Sequence, residues 1–436
     1  MTKAQRVLAV TQSHAAALNL HRRLESFGIL SARIGTTLRP DEITEQHSFD
    51  AVRTWCEDSD IRLMIEYSAI RAKENTQEDW TQPAENSDDD NDDENDEPAN
   101  MSNSKSIVQV QYGVMRRMAR ASKVIVMTCA SSGNVGLLQD MGSFPLLVLD
   151  EAAQCIEPAP LVPLSWGCAA MALVGDEKQL PATILDRQAA YRSLGVSLFE
   201  RFVRDEVVNE GDGFVQLDVQ RRMHPSISEF PSHQFYHGAL KDGVKADQRP
   251  PIPGFPWPVP DSNVCFVECG CCSSEEAGQS NSNAYEADIL IHVLRGCLAA
   301  GTPAKQIGIV TGYSAQQVLL QRHVKRIGPL AAGLRVDTVD GFQGAERDLI
   351  LASTVRSRST VGFMRDPRRV NVLLTRARRG LVVFGSEWTL SGEEGTWKPW
   401  IDWVSMRQAI VNAKYLLCQP PVMPVLPSGL SEPKAV

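Results

Sequence analysis

Short, continuous runs of apolar residues recur along the chain, each followed by a polar or glycine-containing loop and then by a helical pattern. Continuous rather than alternating apolarity is typical of strands buried on both faces, as in a parallel sheet covered by helices. The pattern therefore predicts an α/β fold with parallel sheets. The runs are Val7–Val10, Val124–Met127, Leu146–Leu149, Met171–Val174, Ile307–Val310, Leu349–Ala352 and Leu381–Phe384.

These predicted strands form two groups, on either side of a polar stretch that follows Phe202. We therefore expect a first domain over residues 1–204, a second over 205–392 and a C-terminal tail over 393–436. Residues 38–105 interrupt the first domain and contain too few apolar side chains to offset the entropy of ordering. They are predicted to form an acidic, partly disordered insertion.

The net charge of the chain is unevenly distributed. The 436 residues include 44 Lys plus Arg and 53 Asp plus Glu, which gives a net charge of −9. Residues 85–97 contain nine carboxylates and no basic residue, whereas residues 301–380 contain 14 basic and 5 acidic residues. The second domain therefore suits a polyanionic partner. The acidic run is interpreted as a solvated loop or, alternatively, as a nucleic-acid mimic, and it is also a candidate contact for protein partners.

Composition argues against several other classes of protein. No apolar run approaches the ~18 residues of a membrane helix, and the first twenty residues do not resemble a secretory signal. Ten cysteines in a chain of this length do not indicate a disulfide framework. The cysteines between Cys265 and Cys272 lack the two spaced pairs of a zinc site, so a loop after a strand is expected there. The nucleus or the cytoplasm is the expected compartment.

Polar residues follow two of the predicted strands. Asp150 and Glu151 come directly after Leu146–Leu149, and Gln179 lies in the turn after Met171–Val174. Carboxylates at the carboxyl edge of an α/β sheet can hold Mg²⁺ beside a triphosphate and orient a water molecule. The alternative is a helix N-cap followed by an ordinary polar turn.

Arginines are concentrated in two later segments, 217–225 (LDVQRRMHP) and 368–379 (RRVNVLLTRARR). Their guanidinium groups could contact a γ-phosphate with planar, bidentate geometry. In the second segment Val370, Leu373 and Leu374 have helical spacing, which predicts a helix with arginines on its other face. An exposed basic turn and a solvated basic helix are the alternatives.

In combination, five segments resemble the motifs of superfamily 1 helicases, in the branch that contains senataxin and the nonsense-mediated-decay helicase. They are DEAAQ (150–154), GDEKQLPA (175–182), QRRMHP (220–225), VDTVDGFQGAERD (336–348) and NVLLTRARRG (371–380). The resemblance covers about residues 1–35 and 106–390. It implies two RecA-like parallel-sheet domains of the P-loop NTPase type, with ATP and Mg²⁺ in a cleft and single-stranded RNA or DNA as the partner. The implied activity is that of an ATP-dependent helicase or translocase with 5′ to 3′ polarity.

The resemblance also implies roles for particular residues in ATP hydrolysis. Asp150 would hold Mg²⁺ and Glu151 would activate the attacking water. Gln179 would contact the region of the γ-phosphate, and Arg222 and Arg376 would stabilise charge in the transition state.

Other residues that match the family's motifs would bind the nucleotide base and sugar. Tyr313 matches a tyrosine that stacks near adenine, and Glu346 matches a residue that reaches the sugar. Gln343 and Gly344 belong to the same motif as Glu346 and are assigned to nucleotide binding with it.

Two further positions match segments that touch the nucleic-acid backbone in the family. Ser13 follows the first predicted strand, and Thr128 follows the second. The residues beside Ser13 and the residue Arg221, where the family usually has Tyr, depart from the common pattern.

The phosphate loop of such enzymes, G-x-x-x-x-G-K-[ST], is absent, and the 436 residues contain no Gly-Lys dipeptide. The first domain is therefore expected to be N-terminally incomplete. Two explanations compete: a truncated piece of a longer helicase, which we favour because the downstream motifs are all present, or a natural variant without the loop. Since the loop makes most of the phosphate contacts, we expect these residues alone to hydrolyse ATP poorly or not at all. The alternative function is a hydrolysis-deficient module that binds nucleic acid or protein.

Overall fold

The computed structural model divides the chain into two compact units. Unit 1 comprises Met1–Asp176 and Pro181–Asp205, and unit 2 comprises Glu177–Leu180 and Glu206–Val436. The residues that the structure describes are 6–35, 112–113, 115–138, 141–205, 207–210, 213–260, 262–270, 275–277, 280–358 and 360–418.

Unit 1 contains a parallel sheet with the strand order β2-β3-β1-β4-β5 among its described residues. Most apolar side chains of β1 and β3, and Leu147 and Leu149 of β4, are buried, because helices cover the sheet. This arrangement confirms the parallel α/β architecture predicted from continuous apolar runs. The strands are β1 (Val7–Thr11), β2 (Ser31–Arg33), β3 (Val124–Thr128), β4 (Leu146–Leu149) and β5 (Ala170–Leu173).

The outermost strand β5 is less buried than its apolar sequence predicts. Ala170 and Ala172 are exposed, and Met171 and Leu173 are only half-buried. The strand pairs with β4 on one side, and its other edge carries no partner strand among the described residues.

Along the chain of unit 1, helices lie between successive strands, as in a βαβ fold. A further helical stretch covers 112–113 and 115–121, and a 3₁₀ turn covers Ala152–Gln154. The other helices are α1 (His14–Ser26), α2 (Cys129–Ser132), α3 (Val135–Leu138), α4 (Leu161–Leu164), α5 (Arg187–Tyr191) and α6 (Leu198–Arg204).

Unit 2 contains a second parallel sheet, with the order β14-β13-β15-β16-β10-β17 among its described residues. Its side chains alternate between two apolar clusters, so both faces are buried. The short strands are β6 (Asn209–Glu210), β7 (Gly213–Phe214), β8 (Val219–Gln220), β9 (Lys241–Asp242), β11 (Glu275–Ala277) and β12 (Ser280–Ser282). The sheet consists of β10 (Val264–Glu268), β13 (Ile307–Thr311), β14 (Arg335–Thr338), β15 (Arg347–Ser353), β16 (Ala377–Gly385) and β17 (Ile410–Asn412).

The helices of unit 2 include the one predicted in the second arginine-rich segment, which runs from Pro367 to Leu374. Short 3₁₀ turns cover Ala246–Gln248, Ala304–Gln306, Gly328–Ala331 and Gly362–Arg365. The helices are α7 (Pro225–Tyr236), α8 (Ala284–Ala299), α9 (Ser314–Ile327), α10 (Pro367–Leu374), α11 (Glu387–Ser391), α12 (Trp397–Met406) and α13 (Ala413–Cys418).

The expected C-terminal tail over 393–436 is wrong for its described part. Residues 397–418 form α12, β17 and α13, and β17 pairs with β10 at the edge of the unit 2 sheet. The tail folds because Trp397, Trp400, Ile401 and Val404 form one apolar face of α12 and are buried in the core. Residues 419–436, the acidic run 85–97 and most of the predicted insertion lie outside the described residues.

Two sequence-based expectations about chemistry can be compared with the described part of the chain. No described helix combines the length and the apolarity needed to cross a bilayer. Within the same residues no group of three or more His, Cys, Asp or Glu is arranged to hold a metal ion. Cys265 is buried in β10, whereas Cys271 and Cys272 lie outside the described residues.

Candidate functional site

Asp150 and Glu151 lie at the carboxyl edge of the unit 1 sheet, directly after β4. The Asp150 N–H donates to Val10 O at 2.9 Å, which continues the pairing of β4 with β1. Asp150 Oδ1 accepts from the Glu151 N–H at 3.0 Å, and Glu151 Oε2 accepts from Gln154 Nε2 at 2.6 Å. Neither carboxylate caps a helix by a side-chain hydrogen bond to the 3₁₀ turn that follows.

The backbone at Glu151 has a φ of 55°, in the left-handed region that non-glycine residues rarely adopt. Such a conformation costs about 1–2 kcal/mol and is found preferentially at functional sites. Burial raises the pKa of Asp150, and the hydrogen bond from the Glu151 N–H opposes this shift only in part.

A single half-buried carboxylate is compatible with the expected Mg²⁺. Asp150 Oδ2 has no protein hydrogen bond within the described residues, so it could accept a cation. Proteins commonly bind Mg²⁺ through one or two carboxylates, with nucleotide phosphates and waters as the remaining ligands. The donor set therefore fits Mg²⁺ that arrives with a nucleotide and does not fit a preformed, all-protein cage.

Ser13 and Thr128 lie at the same carboxyl edge as Asp150, because β1 pairs with both β3 and β4. Each is the N-cap of the helix that follows its strand: Ser13 Oγ accepts from Ala16 N and Thr128 Oγ1 accepts from Ser131 N, both at 3.1 Å. Ser13 is exposed, whereas Thr128 is buried and also donates to Ser131 Oγ at 2.8 Å. Of the two, Ser13 is the hydroxyl that a ligand could reach.

In unit 2, Arg222 and Glu346 form a close ion pair. Arg222 Nε donates to Glu346 Oε2 at 2.6 Å, and Arg222 Nη1 donates to Thr375 O at 2.9 Å. Burial alone would raise the pKa of Glu346, but the charges of Arg222, Arg378 and Arg376 hold it below its usual value. Glu346 is therefore ionised among several guanidinium groups.

Arg376 is buried beside this pair, with 1% of its surface exposed. Its Nε donates to Val372 O at 2.9 Å, and its Nη2 donates to Thr375 Oγ1 at 2.8 Å and to Gln179 Oε1 at 3.3 Å. Gln179 belongs to the short segment that is part of unit 2. Four predicted site residues from four separate motifs, Gln179, Arg222, Glu346 and Arg376, therefore lie together; they are called the arginine cluster below.

The arginine cluster lies at the amino edge of the unit 2 sheet. Glu346 precedes β15 and Arg376 precedes β16, and the first residues of these strands, Arg347 and Ala377, are paired. Gln343, which was also predicted to bind the nucleotide, lies shortly before Glu346 in the chain. Its Nε2 is buried without a hydrogen-bond partner among the described residues. Such a donor is available to an anionic ligand.

Tyr313 does not join this cluster. It follows β13 at the opposite, carboxyl edge of the sheet, where Thr311 pairs with Ser353. Seven residues of β15 separate this edge from Glu346, which is roughly 20 Å at the rise of a strand. Unit 2 therefore does not bring Tyr313 and Glu346 together, because one motif follows its strand and the other precedes its strand.

The hydroxyl group of Tyr313 is used within unit 2. Tyr313 is 9% exposed and donates to Val361 O at 3.1 Å, and burial raises the pKa of this phenol. The remaining predicted residue, Gly344, has a φ of 70°, which explains glycine at that position.

Sequence reasoning missed Asn371, which positions the segment that carries Gln179. Asn371 is fully buried, and its Nδ2 donates to Lys178 O and to Tyr236 Oη, both at 2.9 Å. The available signal was a polar residue among the apolar positions of the predicted helix. A polar side chain in that place is expected to have a specific partner.

Comparisons with known proteins agree with the motifs. Two models, each described as an AAA domain, match residues 1–187 and 194–388. The regulator of nonsense transcripts 1 homolog of Arabidopsis thaliana is 37% identical over 298 residues, which are 66% of this chain and 23% of the relative. The ATP-dependent helicase NAM7 of Saccharomyces cerevisiae is 36% identical over 298 residues, which are 66% of this chain and 30% of the relative.

Among solved structures, the arterivirus nonstructural protein 10 helicase in complex with DNA is 14% identical, with a TM-score of 0.38, over 90% of this chain and 57% of that chain. The matched region is 23% of the Arabidopsis relative and 30% of the yeast relative, so this chain spans only a minor part of them. The AAA-domain matches, the sequence identity to these relatives and the ordered motifs show that the chain belongs to the superfamily 1 helicases, in the group that includes the regulator of nonsense transcripts 1.

Proposed function

We propose that the protein is an ATP-dependent helicase or translocase on single-stranded RNA or DNA, with 5′ to 3′ polarity. The arginine cluster is the observation that carries this proposal. Gln179, Arg222, Glu346 and Arg376 are far apart in sequence, yet they share one hydrogen-bonded site in unit 2. Two guanidinium groups beside a glutamine amide suit an anionic, transferring phosphoryl group.

The chemistry expected of the individual side chains follows from their surroundings. Asp150 would hold Mg²⁺, which neutralises charge on the phosphates when bound. Glu151 would orient the attacking water and accept its proton, and the strained backbone at this residue fixes the direction of its side chain. Arg222 and Arg376 would stabilise the charge that develops on the transferred group.

Single-stranded nucleic acid is the proposed partner. Residues 301–380 carry 14 basic and 5 acidic residues, and the group of relatives is one of helicases. Backbone contact through basic side chains is the sequence-independent part of binding to nucleic acid. Action in the nucleus or the cytoplasm is consistent with such a partner.

A hydrolysis-deficient nucleic-acid-binding module is the second candidate function. It is favoured by one observation, the lack of a G-x-x-x-x-G-K-[ST] segment within the 436 residues. Without that loop most phosphate contacts would be missing. Both candidates predict binding to single strands, and they differ in ATP turnover.

The test is ATP hydrolysis with and without single strands, measured on two samples. One is the protein recovered from its own cells with an antibody raised against unit 2, and the other is the 436-residue polypeptide. The helicase proposal predicts strand-stimulated turnover in the first sample and little in the second. Strand binding without turnover in the cell-derived protein would overturn it in favour of the binding module.

A pair of substitutions provides the matched control. Glu151→Gln should lower turnover by about 10²–10⁴-fold, as expected for loss of a general base. Glu157→Gln makes the same chemical change six positions later, where the carboxylate binds Arg201 at 2.7 Å on the surface of unit 1. That variant should keep its activity, and equal losses in the two variants would contradict the role of Glu151.

A further inference from the structure

The amino ends of three strands in unit 1 meet in a row at one edge of the sheet. The register of β2, β3 and β1 places Leu30, Lys123 and Arg6, which directly precede these strands, side by side. The Lys123 N–H donates to Leu30 O at 3.3 Å, and the Lys123 carbonyl accepts from the Val7 N–H at 3.0 Å. Neighbouring strands are about 4.8 Å apart, so the row is about 10 Å long.

Further basic side chains lie beside this row. Arg6 Nη2 donates to Arg120 O at 2.9 Å, which brings the end of the helix before β3 to the row. Arg117 and Arg120 are exposed and share one face of that helix, since they are three residues apart. Arg23 is exposed in the last turn of α1, and Glu25 of the same helix offsets only part of the positive charge.

Apolar side chains at the same edge are exposed to water. Phe27 is 68% and Leu30 is 51% exposed, and the guanidinium of Arg23 lies 5.4 Å from the centroid of the Phe27 ring. Exposed apolar groups that adjoin one another and are bordered by polar residues mark interaction sites. The name amino-edge surface is used below for Arg23, Phe27, Leu30, Arg117, Arg120 and Lys123.

The amino-edge surface lies away from the proposed site of ATP hydrolysis. Thr128 and Asp150 follow strands of the same sheet, whereas Leu30 and Lys123 precede their strands. The five residues of β3 separate the two edges by about 16 Å. A ligand on the amino-edge surface therefore leaves the carboxyl edge of the sheet accessible.

Charge and reach favour a segment of this same chain as the occupant. Residues 85–97 contain nine carboxylates and no basic residue, and Trp80 precedes them by five positions; all lie outside the described residues. The chain from Glu97 to Tyr112, a described residue of the helix before β3, spans up to about 50 Å when extended. That helix rises only about 12 Å from Tyr112 to Arg120, so the acidic residues can reach the surface.

Other anionic occupants fit the amino-edge surface less well. A tethered segment has an effective concentration of about 1 mM, so it occupies the surface ahead of an acidic segment of another protein. Single-stranded nucleic acid would use the basic side chains and the ring of Phe27 but would leave Leu30 in water. The indole ring of Trp80 offers apolar area to both Phe27 and Leu30.

We propose that residues 80–97 bind to the amino-edge surface of unit 1 within the same molecule, with their carboxylates on its basic side chains and Trp80 against its apolar ones. Single exposed ion pairs are weak, so binding depends on several pairs together and on the tether. This contact goes beyond the proposed function, because it requires neither ATP nor a nucleic-acid strand.

Carbodiimide coupling of the wild-type 436-residue polypeptide tests the contact directly. The reagent forms an amide between a lysine amine and a carboxylate that are in contact. Mass spectrometry should find Lys123 joined to residues 85–97 at about 0.05 M salt and much less of this product at about 0.5 M, since salt screens exposed charges. Lys325, exposed in the last turn of α9, is the control. Equal yields at Lys123 and Lys325, or no product at Lys123, would overturn the proposal.

A labelled peptide of residues 80–97 provides a second measurement, by fluorescence anisotropy at about 0.05 M salt. In a neutral variant of the polypeptide every Asp and Glu of 85–97 is replaced by Asn or Gln, which keeps the length of the segment. The neutral variant should bind the peptide about tenfold more tightly than the wild type, whose own segment competes for the surface. Equal affinities would overturn binding within the same molecule.

Substitutions in the neutral variant locate the peptide. Arg120→Ala combined with Lys123→Ala should lower the affinity about fivefold or more, whereas Lys325→Ala combined with Arg326→Ala, which removes the same charge from unit 2, should change it less than about twofold. Equal losses in the two double variants would overturn the assignment to the amino-edge surface. Circular dichroism spectra should match, because all four side chains are exposed.

Competition distinguishes the classes of occupant. A single-stranded oligonucleotide should not displace the peptide from the neutral variant. Displacement that is lost in the variant with Arg120→Ala and Lys123→Ala would assign the surface to nucleic acid instead. None of these results depends on ATP turnover by the cell-derived protein, so failure of this proposal is distinguishable from failure of the proposed function.

Discussion

Replacing Glu286 by Gln should make unit 2 more stable at pH 8 and leave its stability almost unchanged at pH 5. The Glu286 carboxyl is 1% exposed, and burial raises its pKa to about 7, even though Ser353 and two backbone N–H groups donate to it. The nearby carboxylate of Glu268, itself half-buried with a raised pKa, adds to this shift. Gln copies the neutral form of the side chain and has no charge to bury.

The direction of the pH effect follows from proton binding. Between pH 4.5, the ordinary value of a Glu carboxyl, and about 7, the folded protein holds a proton on Glu286 that the unfolded chain releases. The free energy of unfolding therefore falls as pH rises through this window. This difference in pKa corresponds to about 3.5 kcal/mol at about 1.4 kcal/mol per pKa unit, which is the largest difference expected between the variant and the wild type at pH 8.

Urea unfolding at several pH values measures this difference. Trp397 and Trp400 are buried in unit 2, so tryptophan emission reports on its unfolding. The wild-type midpoint should approach that of Glu286→Gln as pH is lowered from 8 to 5. A difference that is the same at both values, or a variant that is less stable at pH 8, would refute the reasoning.

Other predictions concern strain, catalysis and packing. Val355→Gly should be more stable than Val355→Ala by about 1 kcal/mol, because glycine tolerates the left-handed backbone, which has a φ of 70° here. This is the reverse of the usual order of the two residues. Equal urea midpoints of the two variants would contradict the claim that the backbone is strained at this position. Arg376→Lys keeps the charge but loses the planar contact of the guanidinium group, so it should lower strand-stimulated ATP hydrolysis by about 10²-fold or more. Unchanged turnover would show that Arg376 does not act in the site. Trp397→Ala should lower the free energy of unfolding, measured with urea, by about 3–5 kcal/mol, because the ring is fully buried and its Nε1 donates to Met364 O at 2.8 Å. A decrease of less than about 1 kcal/mol would contradict the role of Trp397 in the core.

The sheets were the most predictable part of the molecule. All seven apolar runs form strands. Most of these strands are covered on both faces, and a strand in that position must be apolar throughout, which is a property local in sequence. The outermost strand β5 is the exception, because it is apolar but only partly buried. The same kind of local signal was overlooked in 393–418, where Trp397, Trp400, Ile401 and Val404 have the spacing of an amphipathic helix. The composition of the last residues had suggested a tail for the whole segment.

The sites were less predictable, because side chains that meet there are far apart in sequence. Resemblance to a family grouped Gln179, Arg222, Glu346 and Arg376, and the structure places them together. The same resemblance grouped Tyr313 with them, although it lies at the other edge of the sheet.

The buried side chains of Glu286 and Asn283, which bond to the N–H and the carbonyl of Val355, gave no recognisable signal in the sequence. An Asn that precedes an apolar helix and a Glu in its first turn are common where both are exposed. Only the packing of α8 against the end of β15 buries these groups and directs them at Val355.

Strand separation by the protein recovered from its own cells tests the central claim most directly. The substrates are two labelled duplexes, one with a single-stranded 5′ tail and one with a 3′ tail, each incubated with ATP and Mg²⁺. The account predicts ATP-dependent release of the labelled strand from the 5′-tailed duplex and no release by the Glu151→Gln variant. Binding to both duplexes without any ATP-dependent release would contradict it.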